Sequence, residues 1–144
     1  MAEQSFANHG KFYPPFHFFV IPVMVINLIW SIYRWVVAGF SLDGFGRVLF
    51  AAALAVGFAS VRRMALTVQD RVIRLEERLR YERVLPADLK SRIGEFTVSQ
   101  SVSLRFASDA ELPALARKVL DDKINERKAI KQMVKSWKPD YLRA

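Results

Sequence analysis

Two long apolar runs followed by an amphipathic, charge-rich remainder make up the hydrophobic pattern of this chain. The first run is FHFFVIPVMVINLIWSIYRWVVA (Phe16 to Ala38). The second is FGRVLFAAALAVGFASV (Phe45 to Val61), with Gly39-Phe40-Ser41-Leu42-Asp43-Gly44 between them. A hydrocarbon layer about 30 Å thick is crossed by roughly 20 mostly apolar helical residues. The first run meets that length. The second is shorter and carries Arg47, and it reaches if Arg47 and the Arg62-Arg63 pair extend to opposite interfaces. The pattern predicts an all-α membrane protein built on a two-span transmembrane hairpin over 12–61 (spans about 16–38 and 45–61), preceded by an N-terminal tail, 1–11.

Within the first span, Pro22 removes one backbone donor and predicts a kink, which membrane helices tolerate. Asn27 sits near mid-span, where an amide without a partner is costly, so it is expected to face another helix. Trp30, Tyr33 and Trp35 with Arg34 mark the far interface, and the aromatic, proline-paired stretch from Phe12 to Phe19 marks the near one. In the second span Ala51, Ala55 and Ala59 recur every four residues, a small-residue face that lets helix backbones approach closely. The first span of the same chain is the nearer partner for that face, and a neighbouring subunit the farther one.

Past Val61 the period changes. Val61, Ala65, Val68, Val72, Leu75 and Leu79 step 4, 3, 4, 3, 4, a heptad seam, and no helix breaker appears before Pro86. The second span is therefore expected to continue into the cytoplasm as an amphipathic helix over 62–85. Asp70 with Arg74 and Glu76 with Arg80 are spaced as i,i+4 pairs on it. The seam has two candidate occupants, a second helix in a coiled coil or the chain's own tail. That tail, 86–144, reads as a basic helical region, with a turn at Pro86-Ala87-Asp88 and short helices over Leu89–Phe96 and Thr97–Phe106. Ser108 and Glu111 are spaced as a capping box before a helix ending at Asp121 or Asp122. Asn125 then caps a last helix carrying Ile130, Met133, Val134 and Trp137 on one face, stopped by Pro139. The first eleven residues are polar and expected to be loosely ordered unless a partner holds them.

Charge sets the orientation. Of 22 Lys and Arg, 19 lie from Arg62 onward, against 12 of the 14 Asp and Glu, so nearly all of the net charge of +8 belongs to that part. By the positive-inside rule both termini are cytoplasmic and the Gly39–Gly44 turn faces out. Arg62, Arg63, Lys128, Lys131 and Lys135 are the cations expected at anionic lipid headgroups. The first run exceeds a signal-peptide core and is expected to remain in the protein. The chain has no cysteine, which excludes disulfides and thiolate chemistry.

Catalytic chemistry finds little to work with. His9 and His17 stand at the membrane edge with no carboxylate between them to orient either ring. The one cofactor reading is His17 as axial ligand to a haem- or chlorophyll-type centre, against an ordinary interfacial hydrogen bond. No acid, base and nucleophile converge in the pattern, so no enzyme, metal site or cofactor is expected. The last two helices carry Arg127, Lys128, Lys131, Lys135 and Lys138 against Glu126. That basic helix-turn-helix-like unit admits nucleic-acid binding as the alternative to a headgroup-facing surface, although few residues suited to base edges accompany it.

Three stretches carry a resemblance: ANHGKFYPPFHFF (Ala7–Phe19), LRFASDAELPALARKVL (Leu104–Leu120) and IKQMVKSWKPDYLRA (Ile130–Ala144). Together they resemble an uncharacterised family of small bacterial two-span membrane proteins, a domain of unknown function, with the parts in the same order over nearly the whole chain. The resemblance implies a bacterial cytoplasmic-membrane protein and implies no activity. The expectation is a non-catalytic, membrane-anchored structural or accessory subunit. It would pack with copies of itself or in a larger assembly, respiratory or photosynthetic, through Asn27, the Ala51/Ala55/Ala59 face and Val68, Val72, Leu75 and Leu79. The alternative is a membrane-tethered regulator that binds nucleic acid.

Overall fold

A computed structural model describes residues 4–6, 10 and 13–141. The fold is all-α, with no strand among the described residues. The chain falls into two compact units, one of residues 11–66 and one of residues 1–10 with 67–143.

In the unit of 11–66, a π-helical turn, Pro15–Val20, runs directly into α1, Ile21–Val37. Pro22 has no N–H to give and its ring crowds the carbonyl four residues earlier. A wider π register stands just before it. α1 stops at Gly39, which adopts φ +66°. Gly39 N–H donates to the Val36 carbonyl (3.1 Å) and Phe40 N–H to the Trp35 carbonyl (3.0 Å), the paired bonds of a Schellman stop. Ser41 then starts α2, Leu42–Val84, its Oγ accepting from Gly44 N–H at 3.2 Å. Trp35 closes this turn by donating Nε1–H to the Ser41 carbonyl (3.0 Å), with its ring against Phe40 and Phe45. A Cβ on Gly44 would lie 2.6 Å from Trp35 Cδ1, so the turn admits only glycine there without a shift.

α2 is unbroken for 43 residues, as the absence of a breaker before Pro86 predicts. Its end is Leu85-Pro86, where Pro86 is extended and starts α3, Ala87–Lys90. The single helix expected over 89–96 is instead α3 followed by a 3₁₀ turn, Ile93–Glu95. α4 is Val98–Leu104, α5 Leu112–Asp121 and α6 Arg127–Met133.

The core of the unit of 67–143 gathers Tyr81, Leu85, Leu89, Ile93, Phe96, Leu104, Ala107 and Ile130 around the apolar face of α5. On α5, Leu112, Leu115, Ala116, Val119 and Leu120 repeat at i, i+3, i+4, i+7 and i+8, one helical face. Three sequence expectations change here. The capping box is at Thr97 and Gln100, each side chain bonding the other's backbone N–H, and it opens α4. Glu111 does not complete a box with Ser108. Its carboxylate accepts from the N–H groups of Lys135 and Ser136 at 2.9 and 2.8 Å. The last helix ends at Met133, not near Pro139. Beyond it the chain is extended and pairs with 106–108, Ser108 N–H to the Ser136 carbonyl and Lys138 N–H to the Phe106 carbonyl. Trp137 thus leaves the helical face expected for it and stacks on Phe106 at 4.6 Å. Asn125 is not the cap of α6. It accepts from Thr97 and Ser99, joining the α5–α6 link to the start of α4.

The N-terminal tail is held at Gln4. Its side chain bonds both the N–H and the carbonyl of Asp140, at 2.8 and 3.2 Å. His9 lies outside the described residues.

Candidate interaction surfaces

In the unit of 11–66, the residues of α1 and the first part of α2 turn their apolar side chains outward. Ile26, Ile29, Phe50, Val56 and Val61 are each about two-thirds exposed, and α1 buries no residue. Asn27 lines a groove of about 690 Å³ with Trp30, Ser31, Arg34, Arg47, Phe50, Ala51 and Leu54. No hydrogen bond among the described residues engages its amide. Ala51 is buried, Ala55 half-buried and Ala59 exposed. Ala55 and Ala59 line a second groove, about 400 Å³, with Phe16, Val20, Met24 and Leu28. The small-residue face therefore shares its grooves with the first span of the same chain, as does Asn27.

At the near end of this unit, Arg62 lies over the Phe16 ring at 5.7 Å, and Arg63 is exposed. His17 Nδ1 sits 3.1 Å from Tyr13 N–H and 3.0 Å from the Tyr13 carbonyl, so this nitrogen serves the helix start. Among the described residues, no group of three or more His, Asp and Glu side chains could hold a metal ion.

In the unit of 67–143, α2 divides by faces. Val68, Val72, Leu75 and Leu79 are 50–67% exposed. Roughly half a turn around the helix, at 3.6 residues per turn, Ile73, Glu77, Arg80, Tyr81 and Leu85 are buried against the following helices. The tail thus covers the face opposite the heptad seam. The expected i,i+4 pairs give way to longer-range ones. Asp70 binds Arg127 at 2.8 Å, and Arg80 turns inward.

Arg80 is the buried hub that periodicity did not reveal. Nε donates to Asp109 (2.7 Å), Nη2 to the Ala107 carbonyl (2.6 Å), and Nη1 to Glu77 and the Arg105 carbonyl. One guanidinium thereby satisfies the backbone where α4 gives way to the extended segment. Burial raises the Glu77 carboxyl above its ordinary value, against the pull of Arg80. Asp109 moves the other way, held below the usual carboxylate range by its hydrogen bond from Arg80. Burial, with Glu77 nearby, raises the Tyr81 phenol. Arg105, also buried, pairs with Asp140 at 2.9 Å and lies over the Phe106 ring.

Of the cations expected at lipid headgroups, three lie in the tail. Lys128 and Lys135 are exposed, whereas Lys131 is half-buried with its ammonium 5.3 Å over Phe106. Arg127 is engaged by Asp70. The sequence did hold a signal for one missed feature, the Thr97-x-x-Gln100 spacing. Arg80 and Glu111 are paired across more than 20 residues, and no local pattern marks them.

A family model described as "Family of unknown function (DUF6526)" matches residues 1–144. No curated protein and no solved structure matches the chain.

Proposed function

The chain belongs to that family of unknown function, and from its own physics we propose that it is a non-catalytic, membrane-anchored accessory subunit of a bacterial cytoplasmic-membrane assembly. The observation that carries the reading is the inverted exterior of residues 13–66, where Ile, Val, Leu and Phe face outward along two helices long and apolar enough to cross a membrane. In water that surface would expose far more contiguous apolar area than a monomer sustains. In lipid it is the expected surface, and backbone donors and acceptors are satisfied within the helices.

The Gln4–Asp140 bonds support a hairpin. Gln4 precedes the first candidate span and Asp140 follows the second, so the chain must cross and return for them to meet. The run of Arg62, Arg63, Arg71, Arg74 and Arg78 supports a cytoplasmic placement of both termini. Asn27, without a hydrogen-bond partner among the described residues in the groove between the two apolar helices, and the exposed seam favour a subunit that docks with others. Respiratory and photosynthetic complexes are the assemblies in view. The nucleic-acid alternative would use the basic tail, but Arg127 is bound to Asp70 and Lys131 to Phe106, and α6 is seven residues long.

The test combines extraction and sizing. Carbonate washing should leave the protein in the membrane, and cysteine labelling should place Ser41→Cys and Lys128→Cys on opposite sides. Native mass measurement in mild detergent should find it with stoichiometric partners or copies. Release by carbonate, or a free monomer with salt-sensitive DNA binding, would overturn the proposal.

A further inference from the structure

The face of α2 that carries Val68, Val72, Leu75 and Leu79 is an apolar stripe that the packing of the unit of 67–143 leaves unused. These four side chains are 60%, 50%, 62% and 67% exposed, while the opposite face of the same helix is buried. Their 4-3-4 spacing is the a/d repeat of a left-handed coiled coil, with Val72 and Leu79 at a and Val68 and Leu75 at d. Such a seam is filled by another helix of matching repeat.

We infer that the occupant is the same segment of a second copy, in parallel and in register, an inference that rests on the membrane reading above. Copies inserted with one orientation send α2 out of the membrane in the same direction, so a two-fold contact between them is parallel. In a parallel pair the g residue of one helix meets the e residue five positions later on the other. Arg71 is at g and Glu76 at e, so the two-fold axis sets Arg71 against the second copy's Glu76 twice. Both residues are exposed, and neither makes an ion pair within the chain among the described residues. Their charges complement a second copy of this chain in that register.

The seam has a defined end. Glu82 takes the next d position and Pro86 the next a, so the helices separate after Leu79. The like-charged Arg78 and Arg83 then fall where the pair has opened. Two heptads are short for association in dilute solution. Membrane tethering raises the local concentration of the second helix and lets a short seam suffice.

The chain has no cysteine, so single cysteines report this contact directly. Val68→Cys, Val72→Cys, Leu75→Cys and Leu79→Cys are each introduced into the full-length membrane protein and oxidised in the membrane, with exposed Lys90→Cys and Arg117→Cys as the collision baseline. A parallel pair cross-links to itself at all four seam positions, well above that baseline. Arg71→Glu alone or Glu76→Arg alone should lower the Leu75→Cys dimer roughly five-fold, because two symmetric pairs turn repulsive together. The double exchange should restore it. Cross-linking at baseline at every seam position, or only between different positions in mixtures, overturns the inference, as does failure of the double exchange to rescue. Carbonate washing of the same membranes separates the two readings. Release means that the membrane assignment fails, and retention without seam cross-links means that only the dimer does.

Discussion

Ile26 and Ile130 are the same residue on two helices of one chain, and they sit in opposite circumstances. Ile26 is 65% exposed on α1, among other exposed Ile and Val, whereas Ile130 is fully buried on α6. The contrast extends to polar groups. Among the described residues Asn27 has no hydrogen-bond partner, while Arg80 in the other unit satisfies two carboxylates and two carbonyls. One chain follows the rule of apolar inside and paired polar groups in one unit, and reverses it in the other. The folding physics is the same, and under the proposed membrane placement the solvent each unit is built for differs.

The largest effect should come from Arg80. Replacement by alanine leaves Glu77 buried without its cation and strips two backbone carbonyls of a donor. Breaking a buried pair from one side costs about 3–5 kcal/mol. Hydrogen exchange on the Arg80→Ala protein should show lost protection over 98–137 and unchanged protection over 21–58. Equal loss in both would mean that the two units do not unfold separately.

A matched truncation sharpens the contrast. Ile130→Ala should cost about 2–5 kcal/mol in a detergent-phase melt, the usual range for emptying a core site. Ile26→Ala should shift the same melt by about 0.5 kcal/mol or less, because its side chain packs on no core. Ile26→Arg reverses the ranking when the readout is membrane integration, where an arginine at a span centre costs about 2.5–3.5 kcal/mol. If Ile26→Ala proves as damaging as Ile130→Ala, the outward face of α1 is covered by protein and not by lipid.

The pH dependence should separate Glu77 from Asp109. The Glu77 carboxyl is raised in the folded chain by burial, so its contribution is fully present below its ordinary value of 4.5. That contribution is lost as pH rises through the raised folded value. Asp109 is lowered by Arg80, so its contribution is present above its ordinary value of 3.8 and is lost as pH falls through the lowered one. Glu77→Gln keeps an oxygen for Arg80 Nη1 and removes the first slope. Denaturant melts from pH 4 to 7 should therefore find the variant gaining on the parent as pH rises. Parallel profiles would show that Glu77 titrates alike in the folded and unfolded chain, and that burial does not raise it.

Where periodicity is long, the sequence was legible. Both apolar helices, the unbroken run of α2 to Val84 and its stop at Pro86 follow from residue type and breaker position. The candidate site was legible in part, since the 4-3-4 seam is visible without coordinates. The sequence could not say which face of α2 the tail would cover, because Ile73, Tyr81 and Leu85 are apolar too and their burial depends on contacts distant in sequence. The tail misled for a related reason. Met133, Val134 and Trp137 have helical spacing, but the Glu111 carboxylate holds the N–H groups of Lys135 and Ser136, and the backbone pairs with 106–108 instead.

The smallest effect concerns a single backbone angle. α5 ends as α1 does, with Lys123 N–H donating to the Leu120 carbonyl and Ile124 N–H to the Val119 carbonyl. In α1 the left-handed residue of this motif is Gly39, whereas in α5 it is Lys123 at φ +51°. A side chain there brings Cβ against the backbone at a cost of about 1–2 kcal/mol. Glycine relieves that strain and gives back about 0.5–1 kcal/mol through the greater freedom of the unfolded chain. Lys123→Gly should thus stabilise the unit of 67–143 by about 0.5–1 kcal/mol, read as a small rise in its melting temperature. Gly39→Lys is the reverse exchange in the other unit and should lower stability by a similar amount. If Lys123→Gly lowers the melting temperature instead, the lysine side chain makes a contact whose loss outweighs the relieved strain, and the two helix ends are alike in geometry but not in energetics.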